Sequence, residues 1–279
     1  MVASKWIVSD NRRFIVSDAF KLTVPDSIIY EQPLNERIRT FLRLEFLFKE
    51  LYVALSGDSV IDNRDAVQTL STILSVFDRS DLKQEILKEL ERLSSNLSAL
   101  ENTPGVDKQA LEELLSELDL IVDSLHQSKS AIGQKLREND FLYSIRQRSS
   151  IAGGTCDFDL PAYHYWLQHT SSESRKKQLI EWATQFNNVR SAIDITLRLV
   201  RSGTGFVKST STAGFYQHSL DSSQANQLIR VKVAKNALYY PEISGGKHRF
   251  TVRFMHFDIN QRSQQIDDNV DFLLSCCSM

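Results

Sequence analysis

The sequence predicts an α+β protein: an all-α helical bundle domain followed by a smaller antiparallel β domain that also takes a short N-terminal strand. Three observations carry that expectation. From Asn35 to about Arg201 apolar residues recur at helical spacings of three and four, whereas from Phe206 onward they mostly alternate. The change comes once, near residues 202–205, where Gly203 and Gly205 flank Thr204 and supply a permissive backbone. A β-prone run from Ser27 to Glu31 stands ahead of the first helix, placed to pair with C-terminal strands and bring the chain ends into one sheet. The expected division is therefore 1–25 as an N-terminal extension, 26–33 as a short strand joining the β domain, 34–202 as the helical domain and 203–279 as the β domain.

Taken in order, the first helix should run from near Asn35, a capping residue just after Pro33, to about Leu55. Ile38, Phe41, Phe48, Leu51 and Leu55 line one side, and Leu42, Phe46 and Leu47 widen the stripe. So broad an apolar surface suits a helix central to a bundle or shared with a partner subunit. A second helix from about Arg64 to Phe77 carries Ala66, Leu70, Ile73 and Leu74, and Ser80 should cap a third bearing Leu82, Ile86, Leu90, Leu93, Leu97 and Leu100. After the turn NTPGVD, Asp107 starts a fourth with Leu111, Leu114, Leu118, Ile121 and Leu125, completing an antiparallel hairpin.

Further helices are expected from Ile132 to Arg148, from Pro161 to Gln168 with proline in the first turn, from Ser172 to Phe186 and from Val189 to Arg201. The glycine-bearing segment SSIAGGTCDF reads as a loop between them. Strands are expected near 214–217, 228–234, 249–257 and 270–277. No internal repeat or low-complexity tract is visible.

Composition excludes more than it selects. The 279 residues, 42% hydrophobic and 24% charged with only ten Gly and five Pro, describe an ordinary globular chain. A net charge of −2 gives no global pull toward nucleic acid or membranes. Charge is nevertheless uneven: residues 80–125 hold eleven acids against four Lys or Arg. Residues 228–255 reverse this, with Arg230, Lys232, Lys235, Lys247, Arg249 and Arg253 against Glu242 alone. Three cysteines without CxxC spacing point to a reducing, cytoplasmic compartment, and the first 25 residues lack the uninterrupted apolar core of a signal peptide. No stretch approaches a membrane span.

Motifs for chemistry are missing. There is no P-loop, dinucleotide fingerprint, HExxH or nucleophile elbow, and the six histidines have no zinc-like pairing, so neither metal nor cofactor is expected. Cys156, Asp157 and His164 form a conceivable thiol and base group, but the plainer account is a loop thiol beside a packed helix histidine.

The informative segment is YYPEISGGKHRFTVRFM, from Tyr239 to Met255. Because strand side chains alternate faces, Phe250, Val252 and Phe254 should face a core while Arg249 and Arg253 share the opposite side. Lys247 and His248 adjoin them, and Arg230 and Lys232 form a second basic strand face. Planar guanidinium forks at that density suit carboxylates. A nucleic-acid-binding module is the alternative, with Phe250, Phe254, Tyr239 and Tyr240 as stacking groups, but alternation should turn both phenylalanines inward.

Several long segments resemble the ZapD family of cytoplasmic cell-division proteins, which associate with the tubulin-like GTPase FtsZ. They are EQPLNERIRTFLRLEFLF from Glu31, FDRSDLKQEILKELER from Phe77, PGVD from Pro104, IGQKLRE from Ile132, IRQRSSIAGGTCDFDLPAYHYWL from Ile145, GFYQ from Gly214 and YPEISGGKHRFTVRFM from Tyr240. The likeness covers roughly 27–277, leaving the first 25 residues outside it. The resemblance implies a helical plus β architecture, a homodimer, and binding of the FtsZ C-terminal tail in a basic cleft, with filaments cross-linked into bundles at the mid-cell division site. It implies no enzymatic activity, no nucleic acid and no direct membrane contact. By motif it carries tail binding to Arg79, Arg249 and Arg253, and secondarily to Arg43 and His164. Lys247, Arg230 and Lys232 join them as the neighbouring basic groups.

Overall fold

The computed structural model describes residues 26–78, 81–101, 103–128, 130–221 and 223–278. In chain order they form β1 (Ser27–Pro33), α1 (Glu36–Ser56), α2 (Val60–Phe77), α3 (Leu82–Ser98), α4 (Lys108–Gln127), α5 (Gln134–Arg137), α6 (Asp140–Ser149), α7 (Pro161–His169), α8 (Ser172–Thr184) and α9 (Asn187–Ser202). Then follow β2 (Val207–Ser211), β3 (Phe215–Ser219), β4 (Asn226–Ala234), β5 (Tyr239–Gly245), β6 (Arg249–His256), β7 (Gln264–Gln265) and β8 (Val270–Ser278). Helices followed by antiparallel sheets, with the N-terminal strand joining one of them, make this the expected α+β protein.

Local chemistry sets most boundaries. Asn35 Oδ1 accepts the Ile38 amide at 2.9 Å and starts α1. α2 begins at Val60, earlier than the expected Arg64, because Ser59 and Asp62 form a reciprocal capping box. The helix expected from Ile132 to Arg148 is in fact two, α5 and α6. Gly133 enters α5 with φ of 70°, and Asn139 accepts the Leu142 amide at 3.0 Å to begin α6 afresh. The capping role expected of Ser80 lies outside the described residues.

The described residues group into two compact units. One comprises 47–78 and 130–188, thus the latter part of α1 with α2 and α5 to α8. Its core is aromatic: Phe186 stacks on Phe77 at 5.9 Å and lies 6.3 Å from Phe48, while Phe141 sits 5.7 Å from Trp166 and 6.2 Å from Trp182. Arg175, only 6% exposed, donates to Asn63 Oδ1 on α2 and to the carbonyls of Leu167 and Thr170, satisfying the orphan acceptors at the end of α7.

In the same unit Asp78 receives Arg137 at 2.8 Å and Arg146 at 2.6 Å. Burial alone would push its carboxyl up, but the two guanidinium groups outweigh burial and hold it below its ordinary value of 3.8. A depressed folded pKa contributes stability that is present above the unfolded value and lost as pH falls through the folded one. Urea melts of the native chain and Asp78→Asn should therefore differ at neutral pH, with the gap shrinking from about pH 4 downward and closing as pH falls through the lower folded value. A stability gap that persists unchanged at pH 3 would refute this account.

The other unit comprises 26–46, 81–128 and 189–278: the start of α1, the α3–α4 hairpin, α9 and the strands. Leu111, Leu118 and Leu125, seven residues apart, are the buried positions of α4, facing the leucine-rich stripe of α3. Glu89 on α3 is fully buried, and Arg92 at 2.6 Å and Arg37 at 2.9 Å both reach its carboxyl group.

The strands form two antiparallel sheets. The first has the order β1-β4-β8-β2; in the second β6 lies between β3 and β5, with β7 also on β6. Ile229, Val231 and Val233 of β4, Phe250, Val252 and Phe254 of β6, and Val270, Phe272 and Leu274 of β8 share one core. Phe272 closes it from the first sheet, 5.0 Å from Phe254 and 5.2 Å from Tyr216. The sheets thus stack face to face, and β1 pairs with β4 from Ser27 opposite Ala234 to Pro33 opposite Leu228. Two strands lacked an alternating signal. β2, VKSTS, is polar and takes its place through the β8 ladder, and β5 carries Pro241 on the edge of its sheet, where a missing N–H is tolerated.

Candidate functional site

The stacking of the sheets decides where each basic residue points. In β6 the core side belongs to Phe250, Val252 and Phe254, so Arg249, Thr251 and Arg253 stand on the outer face of the second sheet. In β4 the core side belongs to Ile229, Val231 and Val233, so Arg230 and Lys232 stand on the outer face of the first sheet. The two basic pairs therefore look away from each other across the sandwich. Each lies on the surface of a different sheet.

Their surroundings differ as much as their directions. Arg230 is 14% exposed and engaged: Nε reaches Glu31 Oε1 at 3.0 Å, a terminal nitrogen donates to the Arg201 carbonyl at 3.1 Å, and its guanidinium lies 5.0 Å from the Phe206 ring. Lys232 lies over the same ring at 5.8 Å. Glu31 also accepts Arg201 at 2.7 Å, and Arg201 in turn pairs with Glu45 at 2.6 Å. Burial disfavours the Arg201 charge, but Glu45 and Glu31 outweigh that and raise its pKa above the ordinary arginine value. Arg230 belongs to this internal network, tying β1, β4, the middle of α1 and the end of α9 together.

Arg249 and Arg253 are exposed, and among the described residues neither has a hydrogen bond or ion pair from its guanidinium. Register places Ser219 opposite Arg249 and Gln217 opposite Thr251, and sets Phe215 and Glu242 on either side of Arg253. Tyr240 donates to Glu242 at 3.5 Å. Lys247 stands exposed in the β5–β6 turn beside them. Four residues at about 3.3 Å each separate the two arginines by roughly 13 Å along one strand. Such a face can hold two carboxylates of an extended segment, with planar donors not occupied from within.

The remaining candidates lie elsewhere. Arg43 on α1 is exposed and without a side-chain partner among the described residues, since Glu36 pairs with Arg39 at 3.0 Å instead. His164 Nδ1 lies 3.0 Å from Asp157 Oδ1, too poorly aligned for a hydrogen bond, and Arg64 reaches the same carboxylate at 3.2 Å. Arg79 lies outside the described residues. Phe250 and Phe254, 1% and 0% exposed, are unavailable for base stacking. The Cys156 thiol donates to Asp159 Oδ2 at 3.4 Å, and burial together with Cys277 pushes Cys276 up to about 11. Phe215, 40% exposed beside Arg253, was not singled out by the sequence, because only the β3–β6 register brings it there.

The family model of the cell division protein ZapD matches residues 42–253, most of the chain and the whole of this sheet up to Arg253. The chain belongs to the ZapD family. Among curated ZapD-family relatives, the "Cell division protein ZapD" of Methylococcus capsulatus is 40% identical over 252 residues, covering 90% of this chain and 98% of that one. That of Ralstonia pickettii is also 40% identical, covering 90% and 99%, and that of Shigella flexneri is 39% identical, covering 90% and 98%. Membership of the ZapD family gives this chain a role in cell division. Among the described residues no helix is long and apolar enough to cross a membrane.

Proposed function

We propose that this ZapD-family chain binds the C-terminal tail of FtsZ through the basic outer face of its second sheet and, as a homodimer, cross-links FtsZ filaments into bundles at mid-cell in the cytoplasm. The observation that carries the reading is the pair Arg249 and Arg253, exposed on one strand with no carboxylate bound from among the described residues. Lys247 adds charge at the same end. By resemblance Arg79 ranks with this pair and Arg43 and His164 come second, whereas Arg230 and Lys232 support the fold from the opposite face rather than touch the tail.

The mechanism is bivalency rather than catalysis. A two-fold dimer presents the same face twice, and once one tail is held the second attachment occurs at a high effective concentration. Weak peptide contacts then suffice to join two filaments.

Low-speed sedimentation of FtsZ polymers with the full chain, alongside tail-peptide anisotropy, tests the proposal. Both signals should weaken as salt rises, because exposed charges are screened beyond about 8 Å at physiological ionic strength. A monomeric form, identified by analytical ultracentrifugation, should keep tail binding and lose bundling. Loss of both together would sink the bivalent model, and absence of tail binding at low salt would sink the function itself.

A further inference from the structure

The outer face of β6 does not end at Arg253. The same alternation that sets Arg249 and Arg253 outward also sets Met255 outward, and Phe257 follows two residues on, 65% exposed. Register puts Tyr240 of β5 opposite Met255 and Phe215 of β3 opposite Arg253, and Leu238, 81% exposed, immediately precedes β5, whose first residue Tyr239 pairs with His256. The outer side of β6 therefore carries two guanidinium groups with no partner among the described residues, then half-buried Met255, with exposed Phe257 just past the strand's end and exposed Phe215 across from Arg253 on β3. The outward charges flanking the row are Arg253 itself and Glu242 across from it, whose carboxylate receives the Tyr240 hydroxyl.

Large apolar side chains left in water along one line are costly unless something covers them. The charge pattern says what kind of cover fits: a chain that is anionic over one stretch and apolar over the next. We infer that the sheet reads a bipartite extended peptide, with carboxylates on Arg249 and Arg253 and apolar side chains on the row Phe215, Met255 and Phe257. This rests on the tail-binding reading and deepens it. The arginines attract and orient the peptide, whereas the apolar row supplies affinity that salt does not screen. Arg253 to Phe257 spans about 13 Å, so carboxylates and apolar groups should be separated by roughly four residues of an extended segment.

The test uses the full-length chain and a fluorescein-labelled peptide of the FtsZ C-terminal tail. Phe257→Ser with Leu238→Ser should weaken binding about tenfold, the equivalent of one well-buried apolar side chain, while leaving the salt dependence unchanged. A tail peptide whose apolar side chains are replaced by serine should lose the same factor against the native chain and nothing further against the variant. Both substitutions are at exposed positions, and an unaltered melting curve will verify folding.

If the variant binds as tightly as the native chain while Arg249→Glu with Arg253→Glu abolishes binding, the bipartite inference is overturned and the tail-binding reading stands. If the variant loses dimerisation by ultracentrifugation but its monomer binds the peptide normally, the row is a self-association surface and the inference is again overturned. If the native chain does not bind the peptide at all, both fall.

Discussion

Arg249→Glu combined with Arg253→Glu should leave the protein folded and abolish the FtsZ bundling proposed for it. Both side chains are exposed and without a hydrogen-bond or ion-pair partner among the described residues, so the expected change in unfolding free energy is within about 0.5 kcal/mol. Binding should respond far more. Replacing two cations by two anions turns attraction for carboxylates into repulsion, worth roughly 2–3 kcal/mol, or about 100-fold in tail affinity. Bundling should fall more steeply than tail affinity, because a bivalent cross-link depends on both attachments. Arg249→Lys with Arg253→Lys should fall between, since lysine keeps the charge but loses the planar fork. Unchanged FtsZ pelleting by a folded charge-reversed protein would exclude this face from the function.

The second large effect is on stability. Arg201→Met should destabilise the protein by about 3 kcal/mol, because it withdraws a cation from two largely buried carboxylates, Glu31 and Glu45, 18% and 14% exposed. Arg201 donates to both oxygens of each, so four charge-assisted contacts vanish together. Urea denaturation gives the measurement, and Glu45→Gln added to Arg201→Met should recover part of the loss by relieving an under-compensated charge. A loss below about 1 kcal/mol would place the network among ordinary surface ion pairs. Arg230, which shares Glu31, keeps this network from the opposite side, and that engagement is why it counts as a fold residue here rather than as a docking group.

Much of this was legible in the chain. Side-chain alternation from Arg249 to Phe254 identified which residues enter the core, and the capping residues Asn35 and Asp107 mark helix starts within a residue or two. The misreadings have local causes. Helix periodicity runs smoothly through residues 132–148, and only the left-handed Gly133 and the Asn139 cap reveal the break. β2 has no apolar alternation to find, because its place comes from backbone pairing with β8.

Helix and strand periods and the sidedness of β4 and β6 follow from near neighbours along the chain, because backbone sterics over a few residues set them. Only the tertiary structure decided which sheets stack and in what register, because those depend on burial shared between distant segments. That is why Arg230 and Arg249, alike in the sequence as outward arginines on alternating strands, part company. One is drawn into a network with Glu31, 199 residues away, and the other is left on an open face.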